Sequence, residues 1–300
     1  ILYGIKKIPN NNDPKLDYGL AGKKIPKDVP YFRDIPCKKD IYRAYYIGYQ
    51  YNIIKNRTDI VGAIILKWLK DGMIKIQETK KGIVIVLKEI DPTKFKDYRD
   101  RDLFRLLDKA SKDGYLESKE LKKWCKINYS DITLWFNRIL AIEKKKLIEE
   151  GLIERKDIVK DGKVIDKKSV ITSELKQQAN EIAGLKRYLN DYTHIKERKV
   201  IEVQLFEEYL IFAQLIGIAK KVTKQFKNIY PGMIEQSNFI SYNYLVFVNI
   251  SFYEGMSLAQ SIQSRADNYS SGGGGYSSGG GGGGSFGGGG SGRRLPLKLI

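Results

Sequence analysis

Apolar positions recur at offsets of three and four in some stretches and alternate in others, and these two periods divide the chain into helices and hairpins. Asp40 can cap a helix through Tyr42, Tyr45, Tyr46 and Tyr49, whose spacing puts the rings on one side. Thr58 and Asp59 open a second helix through Ile60, Ile64, Ile65, Trp68 and Leu69, ending at the turn Asp71-Gly72. The β-rich runs 73–77 and 83–87, joined across 78–82 with Gly82 free to take positive φ, predict a hairpin.

The same order then recurs without an obvious residue-level repeat. A helix over 102–112 turns Leu103, Phe104, Leu106 and Leu107 inward and ends at Asp113-Gly114. Ser118 can cap a helix through Leu121, Trp124 and Cys125, and Ser130 one carrying Ile132, Trp135, Phe136, Ile139, Leu140 and Leu147. Strand-like runs 152–159 and 163–172 flank Asp161-Gly162, a strong short-range hairpin signal. Both main helices run into their hairpins through an acidic residue and a glycine, Asp71-Gly72 and Glu150-Gly151, where a left-handed residue can close the helix.

Two long helices are predicted after the second hairpin, over 173–189 and 203–227. The run 242–252 mixes aromatic and β-branched residues and stays unassigned. At the start, Pro9, Pro14, Pro26, Pro30 and Pro36 with Asn10–Asn12 argue for a tether without regular structure. At the end, 272–292 holds more than half of the chain's 29 glycines and cannot bury enough apolar area to offset its chain entropy.

The expected fold is therefore α+β and mostly helical: tandem winged-helix-like units, long helices and a disordered Gly-rich tail. Its expected divisions are a juxtamembrane tether (1–36), a first winged-helix-like unit (37–97), a second (98–190), a helical segment (191–236), an unassigned stretch (237–270) and the tail (271–300).

Composition sharpens this only in part. The 300 residues suffice for more than one folding unit, and 42% hydrophobic with 29% charged residues is a globular balance. Lys and Arg number 53 against 35 Asp and Glu, a formal net charge of +18, which attracts nucleic acid or anionic lipid. An AT-rich coding bias toward Lys, Ile, Asn and Tyr explains the same excess. Ile1 to Ile5 followed by Lys6 and Lys7 reads as the end of a membrane helix with basic residues on its cytoplasmic side, and no other run reaches bilayer-spanning length.

Chemistry-bearing clusters are sparse. Cys37 and Cys125 are far apart and support neither a disulfide framework nor a thiolate metal site. His194 is the sole histidine and falls in a charged connector, where it reads as a surface residue rather than a ligand or triad member. Glu207 and Glu208 diverge by about 100° on a helix, so they read as no catalytic pair, with Glu208 a partner for a basic residue. The glycine run neither follows a strand nor opens a helix, so it is no phosphate cradle. The expectation is a chain without catalytic residues, metal or cofactor.

A winged helix reads DNA by laying its last helix in the major groove. In the first unit that helix turns Gly62, Ala63, Lys67 and Lys70 outward, a set poor in base readers and suited to packing. The second unit offers Asn137, Arg138, Lys144, Lys145 and Lys146, with Lys160, Lys163, Lys167 and Lys168 on its wing. These nine are the candidate contacts for an anionic partner, either nucleic acid phosphates or lipid headgroups.

Three places resemble the C-terminal region of the predicted membrane proteins grouped as domain of unknown function 2207, the YciQ-like family. One is the apolar start followed by Asn12-Asp13-Pro14-Lys15. The second is Gly184-Leu185-Lys186-Arg187-Tyr188-Leu189, leading past Glu197-Arg198 to Leu205-Phe206-Glu207-Glu208-Tyr209-Leu210 and Gly217-Ile218-Ala219. The third is the Gly-rich tail. Asn11-Asn12 replaces the family's juxtamembrane Gly-Arg pair, and no hydrophobic hairpin precedes Gly184.

The resemblance implies an integral membrane protein whose N-terminal extracytoplasmic domain lies outside this chain, with a membrane helix that ends near Ile5 and this part on the cytoplasmic face of the cell membrane. It carries no established activity. The expected role is a non-enzymatic protein-interaction or scaffold module beside the membrane, touching an unknown protein partner and anionic headgroups. The alternative is a membrane-tethered winged-helix regulator that binds nucleic acid.

Overall fold

The computed structural model describes residues 16–79, 82–192, 205–229 and 253–257. These belong to a unit spanning residues 1–261, while 262–300 lie outside the described residues. The Gly-rich tail, the 242–252 run and His194 are therefore also outside them.

The described part is α+β and mostly helical. In chain order it holds α1 (Ile41–Gln50), α2 (Asp59–Lys70), β1 (Lys75–Thr79), β2 (Gly82–Val86), α3 (Tyr98–Ala110), β3 (Tyr115–Glu117), α4 (Ser118–Ile127) and α5 (Tyr129–Glu149). It continues with β4 (Ile153–Lys160), β5 (Lys163–Ile171), α6 (Ser173–Asn190), α7 (Phe206–Leu215) and α8 (Ala219–Ile229).

Local chemistry explains most boundaries. Asp40 caps α1 by accepting from the backbone N–H groups of Tyr42 at 2.9 Å and Arg43 at 3.1 Å. Gly72 and Gly151 close α2 and α5 with positive φ of 66° and 74°, as the matching sequence text predicts. Asp161 and Gly162 both take positive φ, so the β4–β5 turn is of the tight kind whose twist suits a hairpin. The predicted cap of α4 moves by one residue: Glu117 occupies that position and forms a reciprocal capping box with Glu120.

Two elements differ from expectation. The single helix predicted over 203–227 is two, because Gly217 adopts φ 75° and lets α8 turn away from α7. β3 was not predicted, since three residues after Asp113-Gly114 carry too short a pattern to register as a strand. It pairs with β2 through Val84–Glu117, Ile85–Leu116 and Val86–Tyr115. The first hairpin is thus part of a three-stranded sheet, β1-β2-β3, and that sheet crosses the division expected near residue 97.

The start of the chain also departs from a free tether. Residues 16–36 are strapped along the body: Asp17 exchanges backbone hydrogen bonds with Ser169 and Ile171, both at 2.8 Å. Lys176 donates to the carbonyls of Gly22 and Lys24, Arg187 to those of Asp28 and Val29, and the Tyr209 hydroxyl to that of Arg33. Prolines block helix and strand here, yet side chains from α6 and α7 satisfy the carbonyls that regular structure would have paired. Gly184 permits the crossing, because a Cβ there would stand 2.5 Å from the Pro30 carbonyl oxygen.

α2 is buried almost all round, with Ile60, Val61, Ala63, Ile64, Ile65, Leu66 and Trp68 nearly inaccessible. Its main partner is α7, the most extensive helix-to-helix contact of the fold. Gly62 and Ala63 therefore do not face outward as expected. A Cβ on Gly62 would stand 2.8 Å from the Gln214 side-chain amide of α7, so a larger residue there would have to displace that amide. Lys70 donates to Glu208 across the same contact at 2.8 Å, with Lys39 at 3.3 Å, giving Glu208 the basic partners its sequence position suggested.

Candidate functional site

Charge is arranged in two contrasting ways, one internal and one projecting. The internal set joins α1, α3 and α5. Arg99 is 4% exposed and Glu143 is fully buried, and the two form an ion pair at 2.9 Å. The Arg43 Nε donates to the other Glu143 oxygen at 3.3 Å, while its Nη2 pairs with Glu150. Arg99 also reaches back to its own helix start, bonding Asp97 through Nε and Nη2, and its guanidinium lies 3.7 Å from the centre of the Tyr42 ring.

Beside this pair, the Tyr42 hydroxyl donates to Asp100 at 2.6 Å. Burial pushes the Asp100 carboxyl above the usual carboxylate range, and the Tyr42 hydrogen bond and Lys67 offset this only partly. Burial pushes the Tyr42 hydroxyl well above its ordinary value, with the Asp100 charge adding to the effect. Asp97 behaves oppositely: burial would raise it, but the Arg99 hydrogen bonds outweigh burial and hold it below the usual range. The cleft over these groups, lined by Asp40, Tyr42, Lys67, Asp97, Arg99 and Asp100, has a volume of about 190 Å³. Ligand pockets usually begin near 300 Å³.

The nine residues singled out from the sequence do not form one open face. Asn137 accepts from Arg57 at 3.0 Å, and Arg138 pairs with Asp102 on α3 at 2.9 Å. Lys144 is buried, contrary to its expected outward position, because it follows Glu143 on the side of α5 pressed against the body. Lys145 is exposed and lies 3.7 Å from Glu149 one turn on, and Lys146 is half-buried.

On the wing, Lys168 anchors the strap by pairing with Asp17 at 2.8 Å, and this hydrogen bond holds Asp17 below the usual carboxylate range. Lys167 lies 3.8 Å from Asp157. Lys160 and Lys163 face each other across the ladder and form no ion pair with any described residue.

These last two lie at the tip of an arm. β4 and β5 are buried only where they leave the body, at Ile153 and at Ser169, Val170 and Ile171; between these ends the side chains are exposed or half-buried. The open part of β4, residues 154–160, extends about 20 Å at strand rise. The register shifts between the Ile158–Asp166 and Val159–Val164 pairs, which leaves Ile165 as the extra residue of a bulge on β5. Beyond the bulge, Val159 opposes Val164, and Val159, Val164 and Ile165 are 59%, 55% and 59% exposed. Elsewhere such exposed large apolar side chains are scattered; here three fall within seven residues, next to the half-buried Ile158. Sequence reading picked out the arm's lysines but not these aliphatics, although valine and isoleucine flanking Asp161-Gly162 were the available signal.

The chain is similar to a class of predicted membrane proteins. The family model that matches is described as the predicted membrane protein (DUF2207) C-terminal domain, and it covers residues 164–226, from the outer half of β5 through α6 and α7 into α8. The resemblance first seen in the 184–219 text therefore holds over that stretch. No curated protein and no solved structure matches the chain. Among the described residues, no helix is long and apolar enough to cross a membrane.

Proposed function

We propose that this chain is a non-enzymatic interaction module that works on the cytoplasmic side of a membrane, as part of a longer integral membrane protein. The observation that carries the reading is the β4–β5 arm, which projects exposed aliphatics beside lysines that form no ion pair with any described residue, whereas the buried charges of the body, Arg99 and Glu143, are paired with one another. The match to a predicted membrane protein family supplies the membrane.

Two further observations support a role without catalysis. Among the described residues burial raises the carboxyls of Asp100, Glu181 and Glu207; Asp100 is held by Tyr42, and the cleft beside it is small for a metabolite. The arrangement around it fits a structural knot better than a reaction site.

Nucleic-acid binding is the second reading, and Lys145, Lys160 and Lys163 favour it. Against it, α7 covers the helix that would enter a groove from the first unit, and Asn137, Arg138 and Lys144 of the second are engaged or buried. The test is sedimentation of the full 300-residue chain with phosphatidylglycerol-containing vesicles, beside fluorescence anisotropy with duplex DNA, both at physiological salt. Co-sedimentation with loss of duplex binding is expected. Duplex binding that persists in excess vesicles would replace the proposal with the regulator reading.

A further inference from the structure

We infer that the tip of the β4–β5 arm is a membrane-insertion element: Val159, Val164 and Ile165 enter the acyl boundary of an anionic bilayer while Lys160 and Lys163 rest on its phosphates. The inference deepens the reading above and rests on it.

The argument begins with what the arm lacks. A two-stranded ribbon standing alone is marginal in water, and ribbons of this length usually gain stability by packing one face. From Glu154 to Lys167 neither face of this ribbon packs fully, and its outermost part is its most aliphatic. A surface designed only for water would place polar residues there, as the arm does nearer the body with Glu154, Arg155, Lys156 and Asp157.

The tip chemistry then narrows the partner. Lys160 and Lys163 flank the turn with Asp161 as the only acidic residue between them, so the local charge is positive. Their stems can lie along the aliphatic surface while the ammonium groups stay in the headgroup layer. Val159 and Val164 share one face of the hairpin and Lys160 and Lys163 the other, so a tip that enters end-on carries both apolar side chains and ammonium groups, which complements a negatively charged interface with an apolar layer beneath it. A nucleic acid would satisfy the lysines and leave the aliphatics in water. A second copy of this chain would satisfy the aliphatics and set like charges together.

The tight turn suits this use. With Asp161 and Gly162 in left-handed conformation, the hairpin closes without a floppy loop, so the aliphatics are presented on a defined edge. The bulge leaves Ile165 unpaired beside Val164, while the base of the hairpin is held at Ile153 and Ile171.

The test uses the full chain carrying Val164→Cys, labelled with a polarity-sensitive nitrobenzoxadiazole dye. Cys37 and Cys125 are buried, and burial raises both thiols above their ordinary value, so they compete poorly for the label. Addition of vesicles made of equal parts phosphatidylglycerol and phosphatidylcholine should shift the emission to the blue, with phosphatidylcholine alone leaving it unchanged. The same label at Glu149→Cys, on the exposed end of α5, should not respond. The unlabelled double variant Val159→Asp with Val164→Asp should keep its thermal midpoint and lose about tenfold in vesicle partitioning.

Sedimentation of the chain with anionic vesicles while the Val164 label stays in water would overturn tip insertion and leave the membrane-side reading standing. Absence of sedimentation at any salt would overturn both. A blue shift that grows with protein concentration in the absence of vesicles would show that another copy covers the tip, which also overturns the proposal.

Discussion

The Arg99–Glu143 knot and the β4–β5 arm are both rich in charge, yet they do opposite things with it. In the knot, arginines from two helices converge on one fully buried carboxylate, and neighbouring groups occupy the remaining donor positions. Removing one partner there leaves the other as an uncompensated buried charge. On the arm, lysines stand in water beside aliphatic side chains, and no described group depends on the tip pair. Formal charge therefore predicts little by itself; depth and pairing decide whether a basic residue holds the fold or meets a partner.

The contrast can be broken at either end, and the largest effect is expected in the knot. Glu143→Ala should cost about 3–5 kcal/mol of stability, read from urea unfolding; a loss below 1 kcal/mol would mean that Arg43 and Arg99 are satisfied without it. Next comes the strap. Gly184→Ala puts a Cβ against the Pro30 carbonyl and should cost about 1–3 kcal/mol, with protease cleavage within 16–36 accelerated. Unchanged cleavage would show that the strap accommodates the methyl group.

Asp100 gives a pH-dependent test. Its folded carboxyl binds a proton more tightly than the unfolded one, so its contribution to stability falls as pH rises from the ordinary carboxylate value through the raised one. Asp100→Asn keeps an acceptor for the Tyr42 hydroxyl and should remove that decline, so wild type should lose stability relative to the variant as pH rises to neutrality. A parallel pH profile for both proteins would contradict the assignment. The smallest effect belongs to the arm: Lys160→Gln with Lys163→Gln should shift stability by no more than about 0.5 kcal/mol, measured by thermal unfolding.

Much of this was legible in the sequence for an identifiable reason. Elements longer than ten residues with a strong period, such as α2 and α5, and the hairpin marked by Asp161-Gly162 were placed to within about two residues, while the strands of the first hairpin, expected at 73–77 and 83–87, lie at Lys75–Thr79 and Gly82–Val86. What escaped depended on distant partners. β3 is a strand only because β2 lies beside it, and the proline-rich strap is ordered only because Lys176, Arg187 and Tyr209 arrive from helices well over a hundred residues away to take its carbonyls.

The ionic knot was overlooked although its phase was visible. Arg99 falls in step with Leu103 and Leu107, and Glu143 with Phe136, Ile139 and Leu147, so each is a charge on an apolar stripe. Such a residue is either an error of assignment or one half of a buried pair; the helix predicted over 102–112 began three residues past Arg99, so its place on the stripe was missed. The opposite misreading affected Lys144, where a run of basic residues suggested an outward side chain although it is buried.

Hydrogen–deuterium exchange of the full chain, with and without phosphatidylglycerol-containing vesicles, tests the division between knot and arm most directly. Protection on vesicle addition should be confined to peptides covering 153–168, with those from α1, α3 and α5 exchanging as before. Protection over 136–147 with the arm unchanged would contradict it, because the body would then be the face that meets the membrane.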